Sequence, residues 1–288
     1  MQRFKKGKRN MRQGFFMLQR ILKKRDSIAR RQRKLPKGVF GVINSIGVSQ
    51  ITRVLVIIPA YNEASTVGNV VAQAKAALPG GEVLVVNDGS VDGTASVARA
   101  AGARVLTLPF NLGIGGAVQG GYRYALRYGY DVAVQIDADG QHDPADLPKL
   151  IGPVESGQAD LVVGSRFVAS NGYKAPYARR AGMIILSWAV SLLTGRRFRD
   201  TTSGYRSAGR RAIAAFAAHY PADYPEPESL VAARRLGFKV IEVPVGMRPR
   251  QAGFSSITPW RAVYYIIKVL LAVFVSAFRR KEGAPYEW

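Results

Sequence analysis

Cysteine is absent from the 288 residues, and histidine occurs only at His142 and His219. Without thiols there is no disulfide framework, no thiolate zinc or iron–sulfur site and no cysteine nucleophile, and two histidines cannot build a multi-histidine metal centre. Any bound metal must be held mainly by oxygen. Acids are scarce as well: 19 Asp+Glu stand against 42 Lys+Arg, a formal charge of +23. No repeat of fixed period is present, which sets aside solenoids and propellers. What remains is an ordinary globular composition, 48% hydrophobic and 21% charged, enough to bury a core in one large domain or two small ones.

The charge is unevenly placed. Residues 1–38 carry fifteen Lys/Arg against the single acid Asp26. The apolar residues Phe15, Phe16, Met17, Leu18, Ile21 and Leu22 are interrupted by Gln19 and Arg20, so this stretch lacks the continuous apolar region of a signal peptide. Two readings stand: an arm drawn to an anionic membrane surface, each near-surface basic residue adding about 1 kcal/mol, or a solvated tail. Nucleic acid is not an expected partner, because no aromatic-interleaved stacking platform or recognition helix accompanies the charge.

From Arg53 onward, short β-branched runs alternate with helical patterns, the signature of a parallel sheet covered by helices. The pattern predicts strands at Val54–Ile58, Val83–Val86, Val105–Leu108, Val132–Ile136, Leu161–Val163 and Val240–Val243. Helices are expected near Thr66–Leu78, Thr94–Ala101, Gly116–Tyr128 and Leu147–Ser156. After Ser165 the alternation breaks. Two apolar runs follow, Met183–Leu193 and Ala262–Phe278, both with basic flanks (Arg179, Arg180, Arg196, Arg197 and Arg199; Arg261 and Arg279-Arg280-Lys281). The first is short of the ~20 apolar residues a span needs, and Lys268 interrupts the second. Helices lying in the headgroup region satisfy both patterns; buried core helices are the alternative, and for Ala262–Phe278 a true span with Lys268 snorkelling is a further one.

Chemistry-bearing residues gather where strands end. Asp137-Ala138-Asp139-Gly140-Gln141 follows an apolar strand. If that segment is extended, Asp137, Asp139 and Gln141 share one face and offer three oxygen donors at the carboxyl end of a strand, where open α/β sheets bind ligands. Hard oxygen donors suit Mg²⁺ or Mn²⁺. Pro59, Tyr61 and Glu63 follow the first strand and Asp88 the second. An aromatic face to pack on a base and carboxylates to accept from a base or ribose hydroxyls are thus available, although each segment alone is more often a turn. Asn111-Leu112-Gly113-Ile114-Gly115-Gly116 opens a helix, with Gly115 and Gly116 allowing close backbone approach to a ligand. It is not the G-x-G-x-x-G dinucleotide fingerprint, which argues against a dehydrogenase, and no histidine is placed for a hydrolase triad.

In order, Ile58-Pro59-Ala60-Tyr61-Asn62-Glu63, Asn87-Asp88-Gly89-Ser90, Asn111-Leu112-Gly113-x-Gly115-Gly116, Asp137–Pro144 and Gly164-Ser165-Arg166-Phe167 resemble the motifs of family 2 glycosyltransferases. The branch most like them is the dolichol- or polyprenyl-phosphate sugar transferases. The resemblance runs from about Arg53 to Ile257 and implies an α/β GT-A (Rossmann-like) fold with a mostly parallel sheet. It places a nucleotide-sugar donor on the strand ends, with Pro59, Tyr61, Glu63, Asp88, Gly115, Gly116, Asp137 and Ala138 binding it. It carries over Asp137, Asp139 and Gln141 as ligands of Mg²⁺ or Mn²⁺. Asp200-Thr201-Thr202-Ser203-Gly204-Tyr205-Arg206 resembles the acceptor-side segment, and Arg250-Gln251-Ala252-Gly253-Phe254-Ser255 the late Arg-x-x-Gly-x-Ser loop. By the same resemblance, Arg166 and Arg250 approach phosphate, and Arg206 is a further cation for guiding it.

The implied activity is inverting transfer of a hexose from a GDP- or UDP-sugar to polyprenyl phosphate on the cytoplasmic side of the cell membrane, by a peripheral or weakly anchored enzyme. A phosphate acceptor is already anionic and needs cationic guidance more than a base. A hydroxyl acceptor on a glycan or glycolipid needs a base, for which Glu226, Glu228 and Asp200 are the candidates, the two glutamates on a loop stiffened by Pro225 and Pro227. A third reading is a non-catalytic nucleotide-sugar-binding subunit. A small membrane protein is a further candidate partner. The expected organisation is a basic tail and linker at 1–50, the transferase domain at 51–257 and a membrane-associated segment at 258–288.

Overall fold

A computed structural model describes residues 52–168, 177–248 and 259–278, without the side chains of 177–181, 259–265 and 278. The basic tail, the loop 169–176 and the Arg250 loop lie outside the described residues. The chain runs β1 (Val54–Ala60), α1 (Val67–Ala77), β2 (Glu82–Asn87), α2 (Thr94–Ala100), β3 (Arg104–Thr107), α3 (Gly113–Tyr128), β4 (Val132–Gln135), α4 (Leu147–Glu155) and β5 (Leu161–Ser165). It continues with α5 (Tyr177–Thr194), β6 (Arg206–Gly209), α6 (Arg210–Ala218), α7 (Pro225–Arg235), β7 (Val240–Pro244) and α8 (Pro259–Phe278).

The strands form one sheet in the order β3-β2-β1-β4-β6-β5-β7. All pairings are parallel except those of β6, which runs antiparallel to β4 and β5. β1 is buried along its whole length because helices cover both faces, so it reads as a continuous apolar run rather than an alternating one. One side of the sheet packs Val56, Ile58, Val134 and Val162 under α1 and α4; the other packs Leu55, Ile57, Ala133 and Val163 under α3, α6 and α7. Strand order reverses between β1 and β4, and such a switch point opens a crevice at the carboxyl ends.

The six strands expected from the sequence are present within one or two residues of the expected bounds. The seventh, β6, has the sequence Arg-Ser-Ala-Gly and no β-branched residue, so nothing local marks it. Pairing on both edges makes it a strand. The glutamate segment is not a loop: Pro225 occupies the first turn of α7, Glu226 and Glu228 sit beside it, and Arg234 and Arg235 close the last turn. Proline at the start, acids in the first turn and bases in the last are helix signals that the spacing of prolines obscured.

Each apolar run forms a helix with two different faces. On α5, Met183, Leu186 and Val190 are buried, whereas Ile184, Ile185, Trp188 and Leu192 are exposed. On α8, Val269 and Val273 join the core while Ile267, Leu271, Phe274 and Val275 are exposed. The two helices pack against each other and both contact α7. Among the described residues, no helix is long and apolar enough to cross a membrane.

The end of β5 is tied to the rest by a buried ion pair. Asp200 accepts from Arg166 through both carboxylate oxygens, Nη2 to Oδ1 at 2.6 Å and Nε to Oδ2 at 2.7 Å, and also takes the Arg166 backbone N–H at 3.0 Å. Arg166 Nη2 also donates to Thr202 Oγ1 at 2.7 Å, and the Asp200 N–H donates to Glu242 on β7 at 2.8 Å. Asp200 is 1% exposed, so the expectation that it acts as a base is corrected: its carboxylate is the buried counter-ion of Arg166. The expectation for Arg166 changes with it, since its fork is turned onto Asp200 and Thr202. Arg206, also 1% exposed, donates to Ser203 O, Ser229 Oγ and Thr201 O, and so stitches β6 to α7 instead of reaching a ligand. Removing one partner of a buried pair leaves an uncompensated charge, at a cost of about 3–5 kcal/mol. Asp200→Asn should therefore lower unfolding free energy by about that amount in urea titration; a substrate-facing base would instead lose turnover with little change in stability.

Candidate active site

A cleft of about 350 Å³ opens at the switch point. Pro59, Ala60, Tyr61 and Glu63 enter it from the end of β1, Asp88 from the end of β2, and Asp137, Ala138 and Asp139 from the turn after β4. Asn111 and the first turns of α3 (Gly113, Ile114, Ala117) form another wall, and Glu226 comes in from the first turn of α7. Three strand ends and two helix N-termini thus meet at one place, the arrangement that parallel α/β topology favours for an anionic ligand.

The walls at the ends of β1 and β2 are laced together. Asn62, at φ 56°, accepts the Val91 N–H at 3.0 Å and donates its own N–H to Ser90 Oγ at 3.0 Å. Asp88 Oδ1 accepts the Leu112 N–H at 2.8 Å, which holds the start of α3 against the end of β2. Glu63 keeps one carboxylate oxygen on Thr66 Oγ1 at 2.8 Å. Tyr61 is half exposed at the rim. Two expected donor contacts are displaced: Gly115 and Gly116 do not line the cleft. A Cβ on Gly115 would collide with the carbonyl oxygens of Pro221 and Ala222, so that glycine serves helix–loop packing. Gly113, Ile114, Asn111 and Ala117, which the sequence did not single out as contacts, take the wall instead. Their signal was the Asn-Leu-Gly motif itself, read a few residues too far along.

The Asp137–Gln141 segment is a turn, not an extended strand. β4 ends at Gln135 and Gly140 adopts φ 76°, a left-handed conformation open to glycine. The expected alternation of side chains therefore does not apply. The turn brings Asp137 and Asp139 to the cleft and leaves Gln141 outside its lining, with the Gln141 N–H donating to Asp139 Oδ1 at 3.0 Å. Behind it, His142 is buried, stacks on Tyr205 at 4.8 Å and accepts the Asp137 N–H on Nδ1 at 3.1 Å. That bond makes Nε2 the protonated nitrogen of the neutral ring, 3.6 Å from Asp137 Oδ2. Gly204 leaves room for the same carboxylate: a Cβ there would lie 3.1 Å from Asp137 Oδ1.

Glu63, Asp88, Asp137, Asp139 and Glu226 give this cleft five carboxylates, and no Lys or Arg is among the described residues that line it. Burial pushes the Glu226 carboxyl above the usual carboxylate range; Arg206 opposes that shift and Asp137 adds to it. Glu228 does not line the cleft. An anionic diphosphate cannot settle against such a surface without a counter-charge, and two carboxylates flanking a turn, with an amide nearby, are the oxygen donors a hard divalent cation takes. Asp137 and Asp139 are the lining residues that fit it; Gln141, expected as a third donor, stays outside the lining and meets Asp139 through its N–H. Among the described residues there is no ready-made cluster of three or more acid or histidine ligands.

Residues 55–217 match the profile of glycosyl transferase family 2. The chain is 37% identical over 219 residues to an undecaprenyl-phosphate mannosyltransferase of Micrococcus luteus, covering 72% of this chain and 88% of that protein. It is 34% identical over 216 residues to a polyprenol monophosphomannose synthase of Mycolicibacterium smegmatis, covering 72% and 81%. Among solved structures, glucosyl-3-phosphoglycerate synthase from Mycobacterium tuberculosis, in complex with Mn²⁺, UDP and phosphoglyceric acid, superposes with a TM-score of 0.61 at 22% identity, covering 81% of each chain. The fold is therefore GT-A-like, and with the family profile spanning more than half of the sequence the chain belongs to glycosyl transferase family 2 and is a glycosyltransferase.

Proposed function

We propose that the protein transfers a hexose from a nucleotide-sugar, GDP- or UDP-linked, to polyprenyl phosphate, with inversion and with the aid of Mg²⁺ or Mn²⁺. The observation that carries this reading is the acidic cleft at the switch point, which Asp137, Asp139, Asp88 and Tyr61 line together. The names of the relatives, two of which are polyprenyl-phosphate mannose transferases and a third an N-acetylglucosaminyltransferase acting on dolichyl phosphate, support the acceptor class. A base or ribose would lie between Tyr61 and Asp88, and the diphosphate beside Asp137 and Asp139. A divalent cation held there would neutralise the charge that builds on the departing nucleoside diphosphate. The acceptor phosphate is already an oxyanion, so the protein's task is to align it behind the sugar; Arg250 remains a candidate for that contact.

The membrane surface enters the proposal through α5 and α8. Ile184, Ile185, Trp188, Leu192, Leu271 and Phe274 are exposed on two adjacent helices, and the exposed Arg196, Arg197 and Arg199 follow α5. Apolar side chains at acyl depth with guanidinium groups at phosphate level suit a peripheral enzyme on the cytoplasmic face. The basic tail adds attraction to the same surface, and a small membrane protein is a further proposed partner.

A second reading keeps the donor and sends the sugar to a hydroxyl. It is favoured by Glu226, which enters the cleft from the first turn of α7 with its proton affinity raised by burial.

Three measurements test these readings. Asp139→Ala should lower transfer of labelled sugar into the organic-extractable lipid fraction by roughly 100-fold or more, as chelator should for the wild type; undiminished transfer in both cases refutes the metal-assisted mechanism. Glu226→Gln separates the acceptors: a phosphate acceptor leaves substantial turnover. A hydroxyl acceptor gives near-complete loss, with a wild-type rate that falls as pH drops through a titration lying above the usual carboxylate range. Trp188→Glu combined with Phe274→Glu removes about 1.5–3 kcal/mol of apolar burial per side chain and should abolish co-sedimentation with anionic phospholipid vesicles while nucleotide affinity is unchanged.

A further inference from the structure

The turn that carries Asp137 and Asp139 is clamped from outside the cleft by the segment following β7. Gly246 donates its N–H to Asp146 Oδ2 at 2.7 Å, Met247 forms an antiparallel bridge with His142, and Arg248 donates its N–H to the Gln141 carbonyl at 2.8 Å. The Arg248 side chain then forks. Nη2 reaches Asp143 Oδ1 at 2.8 Å and Nη1 reaches Gln73 Oε1 on α1 at 2.7 Å. Asp143 Oδ1 in turn accepts the Ala145 N–H at 3.0 Å, and the Asp143 carbonyl accepts from the Tyr205 hydroxyl at 3.0 Å. Gln141 is therefore held at both of its peptide groups, by Arg248 on the carbonyl and by Asp139 Oδ1 on the N–H.

We infer that Arg248, through its fork onto Asp143 and Gln73, is a positioning residue that sets the Asp137–Asp139–Gln141 turn in the geometry for a divalent cation. The inference rests on the proposed metal-assisted reading. The alternative, a plain surface ion pair, is weighed by exposure. The Arg248 side chain is 40% exposed and Asp143 28%, and pairs of that kind contribute little to folding. What the fork does contribute is direction. A planar guanidinium bonded to two acceptors on different elements fixes the orientation of the turn relative to α1, and oxygen donors must hold their places closely to bind a cation. Groups that orient metal ligands from behind typically change metal affinity by about 10–100-fold when removed. The fork should therefore matter to cation binding and hardly at all to stability.

The test is calorimetric binding of UDP and GDP to the purified full-length protein, with Mn²⁺ and with EDTA, alongside Mn²⁺ binding followed by electron paramagnetic resonance and thermal unfolding. For Arg248→Ala, the Mn²⁺-supported nucleotide affinity and the Mn²⁺ affinity should fall about tenfold. The EDTA affinity should stay within about twofold and the unfolding midpoint within a few degrees. Arg248→Lys, which can reach one acceptor but not both, should recover part of the loss. Asp143→Ala, which removes the acceptor, should match Arg248→Ala, and the double variant should be no worse than either. An unchanged Mn²⁺ increment in Arg248→Ala overturns the positioning role, as does an equal loss with EDTA, which marks general loosening. If the wild-type protein shows no Mn²⁺ increment at all, the metal-assisted reading itself fails, and that result is distinguished by being present before any substitution.

Discussion

Five carboxylates converge on one cleft in a protein whose formal charge is +23. Like charges gathered in a partly buried space repel, and burial, with a smaller contribution from Asp137, raises the proton affinity of Glu226. A protein does not sustain such a concentration without something to offset it. Asp88 is offset by the Leu112 N–H, Asp139 by the Gln141 N–H and Glu63 by the Thr66 hydroxyl. For Asp137 the nearby donor is the His142 ring, held by the Asp137 peptide itself and by the Tyr205 face. These contacts fix the carboxylates in place and leave the cleft net acidic, a surface suited to a cation and the diphosphate it accompanies.

The basic residues that might have shared the cleft are used elsewhere, and the reason is burial. Arg166 and Arg206 lie at strand ends inside the fold, where an unpaired guanidinium would be costly. Arg166 is neutralised by Asp200, and that pair is linked through the Asp200 N–H to Glu242 on the far edge strand. Arg206 satisfies itself on two carbonyls and a serine hydroxyl beneath α7. Both act as ties among β5, β6, β7 and α7, and so steady the helix that carries Glu226.

The apolar helices show the same economy. α5 and α8 each carry apolar residues around most of their circumference, and only one face of each is needed by the core. A sequence pattern of this kind reads as a buried helix or as a membrane-surface helix, and the structure gives each helix one buried face and one exposed apolar face. The core-facing rows are Met183, Leu186 and Val190 on one helix and Val269 and Val273 on the other; the outward rows stay exposed, an apolar surface of the kind that marks an interaction site.

The α/β class, the order of the strands along the chain and the identities of Asp88, Asp137, Asp139, Tyr61 and Glu63 as strand-end residues were legible from the sequence, because apolar runs bounded by polar turns are local signals and fix where a strand stops. The positions of β6, Glu226, Arg166 and Arg248 were decided only by tertiary structure. β6 is a strand because two neighbours pair with it, Glu226 enters the cleft because a helix begins where two prolines suggested a loop, and Arg166 points at Asp200, 34 residues away. Arg248 finds its acceptors 105 and 175 residues back along the chain. Side-chain chemistry can be listed from one dimension, but which charge meets which depends on the sheet bringing distant segments within hydrogen-bonding distance.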